Sequence, residues 1–211
     1  MFGGILSTMF DIRSHDQTAP APGDLEILQR FLNLHEHAPA GAVRIEPDEP
    51  FWKSLDDLPP SREMLRAFLV ERALLDPSER FGDDDRETAL RIYEALHALV
   101  RTNVGEPMAS EHVATIDRVA QAAGLHPHFG DEGPVLVPSE PGPTGALGRL
   151  LAIAFLAELD GRWGRLRECA GEGCCSVFYD RSKNHSGRWH SMQSCGNRNK
   201  VRAWRERQKS R

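Results

Sequence analysis

The sequence predicts an α+β protein in two parts: a mostly helical N-terminal domain with a small β-hairpin over residues 1–161, then a compact cysteine-rich module over residues 162–211. Three observations carry this. Apolar residues recur at helical spacing through most of the first 160 positions, with a single stretch at strand spacing. All four cysteines fall within the last 43 of the 211 residues. The charge divides at the same place: 13 basic side chains stand against 27 acidic ones up to residue 161, a net of −14, and 13 stand against 4 beyond it, a net of +9.

After the breaker cluster Pro20-Ala-Pro22-Gly-Asp24, the residues Leu25, Ile27, Leu28, Phe31, Leu32 and Leu34 repeat at helical spacing with Asp24 as the N-cap. The proline-rich stretch 38–60 holds one short strand-like run, Ala42 to Ile45. Ser61 caps a helix with the stripe Met64, Leu65, Phe68, Leu69 and Leu74. Asp83-Asp84-Asp85 opens another, because carboxylates suit the positive end of the helix dipole, and its stripe runs Leu90, Ile92, Tyr93, Leu96, Leu99 and Val100. A further helix starts at Ser110 and stops at Gly124. The period then changes: Leu125 to Phe129, the turn at Asp131 to Gly133 and Val135 to Val137 read as a β-hairpin. Pro138 to Gly145 reads as a hinge before an apolar helix from Leu147 to Leu159, which runs into Arg162, Arg165 and Arg167.

The last module carries the chemistry. Cys169, Cys174, His190 and Cys195 follow C-x4-C-x15-H-x4-C, three thiolates and one imidazole, a donor set suited to one tetrahedral Zn2+. Four protein ligands leave no open position, so the zinc is structural. Val177 to Tyr179 reads as a strand, Asn184 to Gly187 as its turn and Arg188-Trp189 as the return strand, with Cys195 on the first turn of a final helix. Knuckle, hairpin and helix in that order give a treble-clef-like zinc finger. So small a module buries too little apolar surface to fold alone, and metal binding supplies the difference. Cys175 and His185 are the alternative ligands.

The final helix is basic. Arg198, Lys200, Arg202, Arg205, Arg207 and Lys209 lie within one helix length, and Arg198, Arg202, Arg205 and Lys209 share a face. Lys183 and Arg188 extend that surface from the loop. This density suits the phosphates of double-stranded DNA, and a helix fits the major groove. Val201 and Trp204 are expected to pack the helix onto the module.

The run Leu166 to Ala170, Val177 to Asp180, Arg188-Trp189-His190-Ser191-Met192 and Cys195-Gly196-Asn197-Arg198 closely resembles the CGNR zinc finger. That family stands at the C-terminus of proteins assigned as bacterial stress-response transcription regulators, behind an ABATE domain. Asp24 to Asn33 and the long helix before Arg165 resemble that domain more weakly. The resemblance implies zinc, DNA binding, a transcriptional role and an N-terminal domain that senses a small-molecule effector, with Asn33 as a candidate pocket residue. His190 stands where the family commonly has cysteine. The family register, with Cys174 four residues before Phe178, favours Cys174 over Cys175.

Other classes fit less well. His15, His35, His37, His97, His112, His126 and His128 form no metal-hydrolase spacing, and no nucleophile elbow, phosphate loop or dinucleotide fingerprint occurs, so no enzyme is expected. Two rivals remain: a protein or RNA adaptor, and an HNH-like nuclease using Asn184 and His185, with Asp180 the only nearby acid. No stretch reaches the roughly 18 apolar residues of a membrane span and no signal peptide is recognisable, so the cytoplasm is the expected location. One finger has a small footprint, which makes a homodimer the expected binding form.

Overall fold

Helix α1 (Leu25–Phe31) places Leu25, Leu28 and Phe31 in the interior. In this computed structural model, which describes residues 18–37, 57–131, 133–171 and 174–209, it is followed by a short antiparallel pair, β1 (Glu36–His37) and β2 (Asp57–Leu58). The expected strand at 42–45 and His15 lie outside the described residues. Then come α2 (Arg62–Glu71), α3 (Asp83–Thr102), α4 (Ser110–Ala122), the hairpin β3 (His126–Gly130) with β4 (Gly133–Val137), and α5 (Gly142–Leu159). The C-terminal part contributes β5 (Leu166–Glu168), β6 (Val177–Tyr179) and α6 (Asn197–Lys209).

Local chemistry explains most boundaries. The Ser61 hydroxyl accepts from the Met64 amide at 3.3 Å and caps α2 as expected. The Asp85 carboxylate accepts from the Gly82 amide at 2.7 Å, the reciprocal half of a capping box, so one of the three acids has a defined task. Asp24 differs from expectation: it precedes α1 with helical backbone angles and makes no side-chain cap bond. α5 begins five residues early, at Gly142. Pro143 sits in its first turn, where a missing amide hydrogen costs nothing and the fixed φ suits a helix, so the proline ends no helix here but starts one.

α5 is the central element, packed against α1, α3, α4 and β4. Phe31 stacks at 6.0 Å from Phe68 and edge-on at 5.8 Å from Tyr93, joining α1, α2 and α3. The expectation that no stretch is apolar enough to span a membrane is corrected by α5. Its 18 residues, with mean hydropathy 1.2, meet that length and composition. Half of the helix is buried within the fold, and a core helix surrounded by others is apolar on most sides for that reason.

The cysteine-rich segment does not stand apart from this core. Trp163, Leu166 and Val177 are buried in the same cluster as Leu28, Leu96 and Leu147. β6 pairs antiparallel with β5 in the register Leu166↔Tyr179, Arg167↔Phe178 and Glu168↔Val177. The expected return strand at Arg188-Trp189 is therefore corrected: β6 finds its partner upstream, among the residues leaving α5. In that pairing the apolar Leu166 and Val177 are both buried in the body core.

Candidate metal centre

β5 and β6 form a hairpin whose tip is the cysteine knuckle. The ladder continues one rung beyond the strands, from the Cys169 amide to the Ser176 carbonyl at 2.9 Å, and the Cys174 amide closes the turn on the Gly171 carbonyl at 3.0 Å. Gly171 is required there. A Cβ at this position would lie 2.9 Å from Cys195 Sγ and 3.4 Å from Cys174 Cβ, within the space the ligands share.

The loop between β6 and the third ligand is wound around Asp180. Its buried carboxylate accepts from the Ser182 and Gly187 amides, each at 2.8 Å, which holds its pKa below the usual carboxylate range despite burial. Arg165 donates to the Asp180 carbonyl at 3.0 Å. The loop then returns under the knuckle, where the Ala170 amide donates to the Arg188 carbonyl at 2.8 Å, and this sets His190 in place. Cys195 arrives on a wide turn, Met192–Gly196, that runs straight into α6. Ser191 caps that turn by accepting from the Ser194 amide at 3.3 Å. Gly196 has no room for a side chain, since a Cβ would meet Met192 Sδ at 2.8 Å and Trp189 Cδ1 at 3.4 Å.

These elements bring Cys169, Cys174, His190 and Cys195 together, with one ligand atom from each and all four within 4.8 Å of one another. Cys174 Sγ lies 3.4 Å from His190 Nδ1, while His190 Nε2 faces Ser194 Oγ at 3.4 Å. Ligand atoms of a tetrahedral zinc site are roughly 3.4–3.8 Å apart, given Zn–S near 2.3 Å and Zn–N near 2.0 Å. The donor set thus fits the ion with sub-ångström to ångström adjustment. None of the four cysteines is bridged. Hydrogen bonding to Cys174 and burial push the Cys169 thiol up, and the same contact, helped by His190 and Ser176, pulls the Cys174 thiol down, so Cys174 is the thiolate of the pair. Cys195 is pushed up by burial and by the charge on Cys174. Cys175 is buried outside the cluster, and His185 is exposed in the loop with φ near +50°.

Other site expectations divide. Lys183 and Arg188 are exposed in the loop, with Arg188 5.2 Å over the Trp189 ring. Arg198, Lys200, Arg202, Arg205 and Arg207 are exposed on α6, and Lys209 closes it. Val201 and Trp204 do not pack: they are 48% and 56% exposed. Asn199 and Ala203, which share the opposite side of the helix, are the half-buried positions, and the Asn199 amide donates to the Cys195 carbonyl at 2.9 Å. His126 and His128 lie on the exposed strand β3.

A pocket role for Asn33 is also corrected. Its side chain donates to the Val177 carbonyl and accepts from the Val177 amide, both at 2.8 Å, standing in for the strand that β6 lacks. Asn103 makes a similar join, donating to the carbonyls of Trp163 at 2.9 Å and Leu166 at 3.1 Å. His97 is fully buried between body and module. Its Nε2 donates to the Leu32 carbonyl at 3.0 Å and its Nδ1 meets Glu168, which Arg101 approaches at 3.3 Å. The sequence hints at His97 alone, because it falls four residues after Tyr93 on the buried stripe of α3.

A closed three-cysteine, one-histidine centre on a hairpin and helix makes this a zinc-finger protein with one structural zinc. Residues 165–208 match the CGNR zinc finger, and residues 52–161 match the ABATE family, whose description reads "Putative stress-induced transcription regulator". The latter match spans more than half of the chain, and the chain belongs to that family. No curated protein matches it.

Proposed function

We propose that the protein is a cytoplasmic DNA-binding transcription regulator, with a body over residues 1–161 that senses a signal and a treble-clef-like finger over residues 162–211 that binds duplex DNA. The observation that carries the reading is α6. It leaves the metal centre directly after Cys195 and presents Arg198, Lys200, Arg202, Arg205 and Arg207 to solvent. Zinc, when bound, cross-links the knuckle to the foot of this helix; the chain's own residues do the binding. The acidic body repels DNA and the basic helix attracts it, which favours engagement through the finger alone. Effector sensing draws its support from an open cavity of about 440 Å3 lined by Arg62, Arg66 and Arg80 together with Glu63 and Glu79, with Arg62 paired to Glu63 and Asp83, a mixed lining that suits a polar molecule.

The nuclease reading loses support at Asp180, whose carboxylate is committed to two backbone amides and buried. The adaptor reading keeps its basic surface and is decided by experiment. Duplex binding by the zinc-loaded protein and by His190→Ala is measured across a salt series, with bound zinc quantified. One zinc per chain and binding that weakens steeply with salt and is lost in the variant support the DNA reading. Stoichiometric zinc with no duplex binding overturns it in favour of a protein or RNA partner. Light scattering with and without duplex tests the homodimer, and a monomer in both states removes it.

A further inference from the structure

Resting on the DNA reading above, we propose that α6 meets the bases through an apolar ridge, Val201 and Trp204 with Gln208. Its two basic shoulders hold the phosphates on either side, so the finger prefers A·T pairs through the thymine methyl group.

Sequence periodicity alone singles out the face of Arg198, Arg202, Arg205 and Lys209. The structure shifts the centre of the exposed surface. Asn199 and Ala203 are turned toward the module, with Asn199 bonded to the Cys195 carbonyl, and this fixes the rotation of the helix about its axis. At about 100° per residue, the middle of the remaining arc falls on Val201, Trp204 and Gln208, which recur at i, i+3 and i+7. Lys200 and Arg207 flank the ridge on one side; Arg198, Arg202 and Arg205 flank it on the other. All of them are exposed.

Trp204 keeps more than half of its surface in solvent on an otherwise strongly polar helix, and that apolar area gains nothing until a partner covers it. Apolar surface enclosed by two cationic rows complements a groove with anionic walls and a partly apolar floor. The DNA major groove is such a groove. It is about 12 Å wide, close to the diameter of a helix with its side chains, and phosphates line both edges. The apolar group on its floor is the C5-methyl of thymine, and adenine beside it offers the donor–acceptor pair that a glutamine amide matches. Trp204 and Val201 on methyl groups and Gln208 on an adenine edge therefore favour the same kind of base pair, A·T, at successive steps along the groove.

The test uses the full-length, zinc-loaded protein and three duplexes of about two helical turns: alternating A·T, the same sequence with uracil for thymine, and alternating G·C. Trp204→Ala is compared with Trp204→Phe, with zinc content and circular dichroism confirming an intact finger. Binding to the A·T duplex falls by about tenfold for Trp204→Ala, the scale of one good base contact. The slope against salt is unchanged, because no phosphate contact is removed. Uracil weakens the wild type in the same direction and weakens Trp204→Ala less, since only Val201 then meets the methyl groups, and Trp204→Phe recovers most of the loss. A Trp204→Ala protein that binds every duplex like wild type, or whose loss is indifferent to the methyl group, overturns the ridge while leaving the DNA reading intact. A change in oligomeric state in place of a change in affinity assigns the ridge to self-association and also overturns it. No duplex binding by the wild type removes both.

Discussion

β5 and β6 approach the metal centre from the body, whereas α6 leaves it toward solvent, and the two sides of one zinc site are held by different means. On the near side, Leu166 and Val177 are fully buried in the body core, and Asn33, Asn103 and His97 satisfy backbone or carboxylate groups of the hairpin. On the far side, the extensive contacts of α6 are with the turn Met192–Gly196 that precedes it, and most of its side chains are exposed. A 13-residue helix with little tertiary support is marginal in water. The hairpin can therefore form with the body, while α6 depends on the bond at Cys195. In this fold zinc acts less as the core of an independent module than as the anchor of a helix on a scaffold already built.

The largest effect that can break this contrast is loss of a far-side ligand. Cys195→Ser is expected to abolish stoichiometric zinc and duplex binding while the body keeps a cooperative thermal transition. Metal analysis, binding anisotropy and calorimetry check the three parts, and a protein that loses its body transition as well would show the two sides to be one unit.

Next is the near-side clamp. Asn33→Ala strands the amide of buried Val177, whose carbonyl keeps a longer bond from Gln29 Nε2 at 3.4 Å, and is expected to cost about 1–3 kcal/mol, the range for one stranded buried group. Urea unfolding of the zinc-loaded chain measures it. Zinc should stay at one per folded chain, and early release of zinc at unchanged body stability would reverse the comparison.

A smaller change sharpens the far side. Arg205→Ala is expected to lower the slope of log affinity against log salt by about one and to alter stability by under about 0.5 kcal/mol. A clear fall in melting temperature would mean that α6 is packed.

The smallest effect is a single titration in the body. Burial, with Glu111 nearby, raises Glu94 to about 7 from an ordinary 4.5. The folded state thus holds a proton that the unfolded chain releases near 4.5. The stabilisation is full below that pH and is lost as the pH rises through about 7. Urea midpoints taken from pH 4.5 to 7.5 should decline in the wild type and decline less in Glu94→Gln. An unchanged decline in the variant removes Glu94 as its source.

What the sequence discloses follows the range of the forces involved. The four zinc ligands are legible because tight chain turns set their spacing, helices α2 to α4 because one buried face imposes a period, and α5 because a near-continuous apolar run marks a core helix. The start of α5 was hidden by a proline that usually reads as a breaker. β1 and β2, two residues each and separated by a long connection, leave no alternation to find. The partner of β6 was missed because its choice depends on a distant core that accepts Leu166 and Val177. Asn33 and Asn103 look like ordinary polar residues near helix ends, since nothing local marks them as surrogates for a neighbouring strand. Trp204 misled in the opposite direction: an indole in a basic helix reads as packing until the orientation of Asn199 and Ala203 shows that it faces out.

Amide hydrogen exchange on the full chain, with zinc and after its removal by a chelator, tests the central contrast most directly. β5 and β6 are expected to keep most of their protection without zinc, while Met192–Gly196 and α6 lose theirs. Equal loss of protection on both sides would contradict that contrast, and would make the metal the core of the whole finger.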